Sequence, residues 1–322
     1  MSCCYIFGGS GGNQASTATC TWHASYNGPV PQSLNADLHC HSVVSDGTLT
    51  PEQLAARAHA NGVQLWALTD HDEIGGQHRA AAAAHALGMD YLTGTEISVT
   101  FANTTVHIVG LGFDADDARL AQGLAATRGG RGERAREIAR QLAQAGIAGT
   151  YEGALCYVEN PELISRTHFA RYLVETGVCR DMGEVFRKYL TEGKPGYVPH
   201  RWATLGHAVR WIRDAGGVAV IAHPARYRFT ANEEYALFSE FRQHGGQGVE
   251  VVTGSHTSAE YRTYAAMAQE FSLAASRGSD FHSPYESHTD IGTLPDLPAH
   301  LTPVWELLDH QILRAPQRPV AV

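Results

Sequence analysis

Ser33-Leu34-Asn35-Ala36-Asp37-Leu38-His39-Cys40-His41 reads as a strand that finishes in two histidines, with Asp46 following five residues later in a loop. Strand alternation points His39 and His41 to one face and Cys40 to the other. Imidazole is the commonest metal ligand. Paired imidazoles at a strand end, with a carboxylate just beyond, suggest a cation site and raise the question of whether other strands end the same way.

They do. Apolar runs at 33–39, 63–69, 90–95, 105–113, 218–222, 248–252 and 273–279 read as seven strands. Helical patterns at 51–60, 77–87, 205–215 and 258–271 fill several of the gaps between them, and the first has Thr50 placed as its N-cap. This alternation is the signature of an α/β protein. His71 ends the second strand in Thr69-Asp70-His71-Asp72, and Glu96 ends the third in Gly94-Thr95-Glu96. His107 lies nearer the middle of the fourth strand. His223 ends the fifth in Ala222-His223-Pro224, and Asp280 and His282 follow the seventh in Gly278-Ser279-Asp280-Phe281-His282. Only the sixth strand supplies no ligand. Active sites of β/α barrels are built at the C-terminal ends of the strands, where most of these residues fall. Asp70 and Asp72 are placed either to orient ligands or to cap the next helix, with capping preferred.

Between residues 113 and 218 no long strand is evident, only helical patterns such as 131–145, 165–176 and 182–189. Residues 34–113 and 201–322 are therefore expected to form the barrel domain, and 114–200 a helical insertion covering the active site. Residues 1–33, rich in Gly, Ser, Thr and Asn, are expected to be a flexible N-terminal extension. The net charge of −9 argues against a general nucleic-acid coat protein but leaves room for a local basic pocket. The six cysteines (Cys3, Cys4, Cys20, Cys40, Cys156 and Cys179) contain no C-x-x-C pair and read as free thiols of a reducing cytoplasm. No apolar run reaches the roughly 18 residues needed to span a membrane, and no signal-peptide pattern opens the chain.

Six imidazoles and three carboxylates without a thiolate suit Mn²⁺, Zn²⁺ or Fe²⁺ better than Mg²⁺ or Ca²⁺, with Mn²⁺ expected first. Nine ligands exceed the needs of one ion, so two or three divalent ions are expected, with Glu96 as the bridge. The set Asp37-Leu38-His39-Cys40-His41-Ser42 with Asp46, then Thr69-Asp70-His71-Asp72, Gly94-Thr95-Glu96, Val106-His107-Ile108-Val109-Gly110, Ile221-Ala222-His223-Pro224 and Gly278-Ser279-Asp280-Phe281-His282 resembles the polymerase-and-histidinol-phosphatase (PHP) family of amidohydrolase-like metal phosphoesterases, in the family's order. The resemblance implies a distorted (β/α)7 barrel. It implies one ion on His39, His41, Glu96 and Asp280, a second on Glu96, His107 and His223, and a third on Asp46, His71 and His282. Asp46 stands where some members have histidine. His39, His41, Glu96, His223 and Asp280 would be the catalytic set.

A narrower resemblance, in Ser165-Arg166-Thr167-His168-Phe169-Ala170-Arg171-Tyr172-Leu173 and Gly193-Lys194-Pro195-Gly196-Tyr197-Val198, is to the 3′,5′-nucleoside bisphosphate phosphatases, whose relatives trim RNA from the 5′ end. It implies removal of a 3′-phosphate while Ser165, Arg166, His168 and Lys194 grip the 5′-phosphate through hydroxyl, guanidinium, imidazole and ammonium donors. Arg226 is a further candidate. Two ions would lower the pKa of a shared water and hold it as the attacking hydroxide. His200 and His256 are spare histidines for protonating the leaving group. Alternatives are a histidinol-phosphate phosphatase or other small-molecule phosphatase, a proofreading DNA exonuclease, a C–N hydrolase, and a metal-binding module without turnover. The expected partners are a small phosphorylated nucleotide and short RNA ends, with no membrane and no stable protein partner.

Overall fold

A computed structural model describes residues 34–316; the extension 1–33, with Cys3, Cys4 and Cys20, lies outside the described residues. The strands are β1 (Ala36–Asp37), β2 (Leu65–Leu68), β3 (Asp90–Phe101), β4 (Thr104–Leu111), β5 (Ala203–Thr204), β6 (Val218–Ile221), β7 (Gly248–Thr253) and β8 (Ala274–Gly278). They form one sheet in the order β1-β2-β3-β4-β6-β7-β8, with β5 beside β3. Its two ends meet: the Leu38 amide donates to Arg277 O at 3.0 Å, Asp280 N–H to His39 O at 2.8 Å and His41 N–H to Phe281 O at 2.8 Å. The result is a nearly closed barrel.

The third and fourth strands differ from expectation. β3 runs twelve residues, through Ile97 and Val99, both buried, to Phe101. A two-residue turn at Ala102 and Asn103, with φ of 45° and 62°, then sends the chain back as β4. Such hairpins require left-handed residues at both turn positions, and alanine gives no hint of one. Glu96 therefore lies inside a strand and does not end it. β4 is antiparallel to both β3 and β6. Its reversed direction explains His107, because the N-terminal half of β4 opens at the same mouth as the C-terminal ends of the other strands.

Side-chain alternation separates the layers. Leu65 and Ala67 of β2, Val109 and Leu111 of β4, and Val218 and Val220 of β6 join Leu38 in an interior cluster, closed by Val304, Leu308 and Ile312. The intervening residues, such as Trp66 and Leu68, pack against α1 (Pro51–Ala60) and α2 (Gln77–Leu87). Thr50 and Gln53 form a reciprocal capping box at the start of α1, a device that typically contributes about 1 kcal/mol. On the other flank, Ile108, Ala219 and Ile221 pack with α3 (Ala118–Arg128), α8 (Leu205–Asp214), α9 (Ala231–Gln243) and α10 (Ser258–Glu270).

Between β4 and β5 the chain is helical after α3, through α4 (Arg131–Gln144), α5 (Thr150–Leu155), α6 (Arg166–Glu175), α7 (Met182–Val185) and a π-helical turn, Phe186–Leu190. Ile138, Leu142, Phe169, Leu173 and Leu190 share a cluster separate from that of the barrel. Leu120 and Leu124 of α3 pack instead with the barrel strands. Among the described residues no helix is long and apolar enough to cross a membrane.

Candidate active site

The nine proposed ligands converge at the barrel mouth. Glu96, fully buried, is their hub. Its Oε1 lies 2.8 Å from His223 Nε2 and 2.9 Å from His107 Nδ1. Its Oε2 lies 3.0 Å from His71 Nδ1, 3.2 Å from His41 Nε2 and 3.3 Å from His39 Nε2. Asp280 Oδ1 stands 3.3 Å from His41 Nε2 and 3.5 Å from His39 Nε2. Asp46 Oδ1 stands 3.3 Å from His282 Nε2 and 3.8 Å from His71 Nε2. Three groups have donor atoms all within 4.8 Å of one another: His39, His41, Glu96 and Asp280; His41, Asp46, His71 and His282; and His71, Glu96 and His107. The first two contain the ligand sets implied for two of the ions. The third has His71 where His223 was expected, although His223 also reaches Glu96.

These residues fit divalent cations. With metal–ligand bonds of about 2.1 Å, neighbouring donors stand roughly 3.0–3.4 Å apart, close to the separations here. His41 Nδ1, Asp46 Oδ1, His71 Nδ1, Glu96 Oε2 and His107 Nδ1 are buried without a hydrogen bond among the described residues. The electrostatics agree. Burial pushes the Glu96 carboxyl up, but His107, His39 and His71 outweigh it and hold it well below the usual carboxylate range. Asp46 and Asp280 behave alike, burial again being overcome by neighbouring imidazoles. Burial opposes charge on His41, yet the Asp280 and Glu96 carboxylates facing its Nε2 raise it to about 9. The protein alone thus favours positive charge at this point.

The backbone is shaped for the cluster. His223 and Asp280 have φ of 24° and 55°, left-handed values that are uncommon for non-glycine residues and cluster at functional sites as well as in turns. At Gly278 a Cβ would lie 2.3 Å from His39 Cβ, so only glycine lets β8 pass that close.

Supporting residues orient the ligands. Glu250, on the sixth strand of the expected set, accepts from His39 Nδ1 at 2.8 Å and from the His223 amide at 2.6 Å. With Nδ1 carrying the proton, His39 Nε2 presents its lone pair to the cluster. That strand therefore contributes after all, and the signal was an acid within the apolar run Gly248-Val249-Glu250-Val251-Val252. His282 Nδ1 is similarly held, 3.0 Å from Asp280 O. Neither Asp70 nor Asp72 caps a helix, since the N-cap of α2 is Gly76. Asp70 instead accepts from Ser42 N, Ser42 Oγ and Ser45 Oγ at 2.8, 2.7 and 2.6 Å. Asp72 accepts from Ser98 N at 2.7 Å and pairs with Arg131.

The cavity over the cluster is also lined by Arg131, Arg134, Arg166, Arg226, Phe186 and Trp202. Arg226 Nη1 pairs with Asp280 Oδ2 at 2.7 Å. Arg166 Nη1 donates to Leu190 O at 3.1 Å and Arg134 Nε to Val198 O at 3.0 Å, and among the described residues neither has a carboxylate partner. Burial, then Arg166 and Arg131, lower Arg134 to about 9. Ser165, the N-cap of α6, also lines the cavity and donates from Oγ to Asp46 Oδ2 at 3.2 Å. Lys194 is exposed and does not line the cavity. Arg131 and Arg134 escaped the sequence reading because arginines on a helix read as solvated charges.

His168 is a structural residue. Fully buried, it completes the capping box of α6, Nδ1 accepting from Ser165 N at 2.9 Å. Burial lowers its pKa to about 4, with the nearby Asp46 charge opposing the shift. With the unfolded value near 6.5, the cap contributes fully above pH 6.5. It is lost as pH falls toward 4, at an expected cost of up to about 3 kcal/mol. His168→Gln retains an S-x-x-Q capping box that does not titrate. Urea midpoints of the variant are expected to fall less than those of the parent between pH 6.5 and 4; parallel curves would refute this role. The spare histidines are also placed. His256 accepts from Ala225 N at 3.3 Å, and His200 packs edge-on against Trp202; neither lines the cavity.

The family model for the PHP domain matches residues 37–128. The 3′,5′-nucleoside bisphosphate phosphatase of Chromobacterium violaceum is 52% identical over 280 residues, covering 87% of this chain and 98% of that one. The 5′-3′ exoribonuclease of Haemophilus influenzae is 40% identical over 270 residues, covering 84% of this chain and 97% of that one. A solved structure of an amidohydrolase from Chromobacterium violaceum, with bound sulfate and no metal, superposes with a TM-score of 0.86 at 51% identity, over 88% of this chain and 99% of that one. Agreement of this extent, over a barrel whose strands deliver the expected histidines and carboxylates to one mouth, establishes that the chain belongs to the PHP family of metal-dependent phosphoesterases.

Proposed function

We propose that this protein removes the 3′-phosphate of nucleoside 3′,5′-bisphosphates, converting adenosine 3′,5′-bisphosphate to AMP, and trims short 5′-phosphorylated oligoribonucleotides by the same chemistry. The observation that supports it best is one cavity containing both the ligand cluster and two guanidiniums, Arg134 and Arg166, without carboxylate partners. The cluster suits the reacting phosphate. The arginine side suits a second anion, which a histidinol-phosphate phosphatase would not need. The activities for which the C. violaceum and H. influenzae relatives are named point the same way.

Two or three divalent ions, Mn²⁺ first, when bound by His39, His41, Asp46, His71, Glu96, His107, His223, Asp280 and His282, supply charge neutralisation at phosphorus and a water acidic enough to act as nucleophile. The chain's own groups do the rest. Glu250 holds His39 in the tautomer that presents Nε2, and Arg226 holds Asp280 while facing the cavity. Ser165 and Arg166, with Arg134 and Arg131 in place of His168 and Lys194, grip the remote 5′-phosphate. The helical segment 114–200 forms that side of the site and selects substrates that have two phosphates.

The direct test is incubation of the protein with Mn²⁺ and adenosine 3′,5′-bisphosphate. AMP and inorganic phosphate are the expected products, and an intact substrate across Mn²⁺, Zn²⁺, Fe²⁺ and Mg²⁺ would remove the reading. Arg166→Ala is expected to raise KM about 10–100-fold for substrates with a 5′-phosphate, the value of one charge-assisted contact. An equal rise on substrates lacking that phosphate would refute the grip.

A further inference from the structure

The ligand groups at the barrel mouth are not all held by the same part of the chain. For His39, His41, Glu96 and Asp280, the hydrogen bonds and ion pairs among the described residues come from outside the helical segment 114–200. Glu250 holds His39, Arg226 holds Asp280, and His71, His107 and His223 face Glu96.

Asp46 is different. It lies in the loop after β1, and α6 reaches it twice. Ser165 Oγ, at the N-cap, donates to Asp46 Oδ2 at 3.2 Å, and Arg171 Nη2 donates to Asp46 O at 2.6 Å. One carboxylate oxygen is thereby engaged. Oδ1 has no hydrogen bond and faces His282 Nε2 at 3.3 Å and His71 Nε2 at 3.8 Å.

The same guanidinium takes hold of the opposite flank. Arg171 Nε and Nη2 donate to Glu286 Oε1 and Oε2 at 2.7 and 2.8 Å, and Arg171 is only 7% exposed. Glu286 belongs to the loop after β8. Its neighbour Ser287 accepts through Oγ from His282 N at 2.9 Å and from Ser283 N at 3.2 Å. Asp46 and His282 therefore lie on loops far apart in the chain, and one buried side chain is bonded to both loops.

By charge alone, an arginine beside a cation site repels the ion, and its removal would tighten binding. It favours the ion only if the geometry it enforces is worth more. We propose that Arg171 is a positioning residue for the third cation: by bonding the Asp46 carbonyl and the Glu286 loop at once, it holds Asp46 Oδ1 and His282 Nε2 at the separation one ion needs. This rests on the metal-dependent phosphoesterase reading above. The helix that brings Arg166 to the cavity thus also shapes a cation site, and the helical segment is part of the metal centre as well as a wall for substrate.

The test is Mn²⁺ binding to the metal-free protein by equilibrium dialysis, for the parent, Asp46→Ala, Arg171→Met and Arg171→Lys. Asp46→Ala is expected to lose one ion per chain and so to identify the third site. Arg171→Met, close in length but without donors, is expected to weaken that same ion about 10–100-fold, the effect of losing a group that orients a ligand, and to leave the others within about twofold, which also reports a folded barrel. Arg171→Lys keeps the charge but not the fork, and its loss at that ion is expected to fall between the two. If Arg171→Met does not fold, Arg171→Lys decides alone. Unchanged or tighter binding of the third ion would overturn the inference, and so would equal weakening of every ion, the mark of a general loss of structure. An Asp46→Ala variant that binds as many ions as the parent would overturn it too, since there would be no third site to position. In each of these cases the phosphoesterase reading stands. A parent that binds no Mn²⁺ would remove that reading and the inference with it.

Discussion

Glu96→Gln is expected to lower kcat on the bisphosphate by at least about a thousandfold, or roughly 4 kcal/mol of transition-state stabilisation, and to reduce the metal content of the purified protein. The reason is the number of groups that one carboxylate serves. His223 and His107 approach Oε1, while His71, His41 and His39 approach Oε2, all between 2.8 and 3.3 Å. An amide of the same shape offers one acceptor oxygen, and its NH₂ turns two hydrogens toward nitrogens that must present lone pairs. It also removes the negative charge that His107, His39 and His71 stabilise so strongly. Two measurements separate this from a general loss of structure: metal per protein chain after dialysis, and the far-ultraviolet circular dichroism spectrum, which is expected to be unchanged. A variant that retained the parent's metal content and a tenth of its kcat would show that Glu96 is not the shared ligand.

The residues legible in the sequence were those whose chemistry clashes with their pattern. A histidine or carboxylate closing an apolar strand has no reason to be there unless something polar waits at the barrel mouth, and so His39, His41, His71, His223 and Asp280 stood out. Glu250 follows the same rule, but its partners His39 and His223 are 211 and 27 residues away, and without them it looks like any surface acid. The β3–β4 hairpin was hidden because its turn, Ala102-Asn103, lacks the usual glycine. Among the helices the pattern was least informative. Arg131, Arg134 and Lys194 are equivalent as charges on paper, and only tertiary packing turns two of them into the cavity and leaves the third in solvent. His168 illustrates the converse, a polar residue beside the proposed phosphate-binding residues Ser165 and Arg166, whose side chain caps α6.

Asp72→Ala is expected to cost about 3–5 kcal/mol of stability, the range for stripping the partner from a buried charge. Asp72 is fully buried at a left-handed φ of 50°. It accepts from the Ser98 amide of β3, pairs with Arg131 at the first turn of α4, and through its carbonyl accepts from Arg128 of α3 at 2.7 Å. One short side chain thus ties β3 at the barrel mouth to α4, the helix that carries Arg131 and Arg134 of the arginine wall. Without it the Arg131 guanidinium, 5% exposed, retains the ring of Trp202 at 4.7 Å but no carboxylate. Arg131→Met alone removes the charge and leaves Asp72 with the Ser98 amide, so it should cost less. Combining Asp72→Asn with Arg131→Met should recover much of the loss, because neither buried group is then charged. Activity should not recover in parallel: KM for the bisphosphate is expected to stay high in the double variant, since the cavity has lost a cation that stability no longer needs. Urea unfolding of the variants, with KM measured on each, separates the two roles. A loss under 1 kcal/mol in Asp72→Ala would mean the pair is solvated and α4 is held by its apolar face alone, whereas recovery of KM together with stability would mean Arg131 is a strut and not part of the anion site.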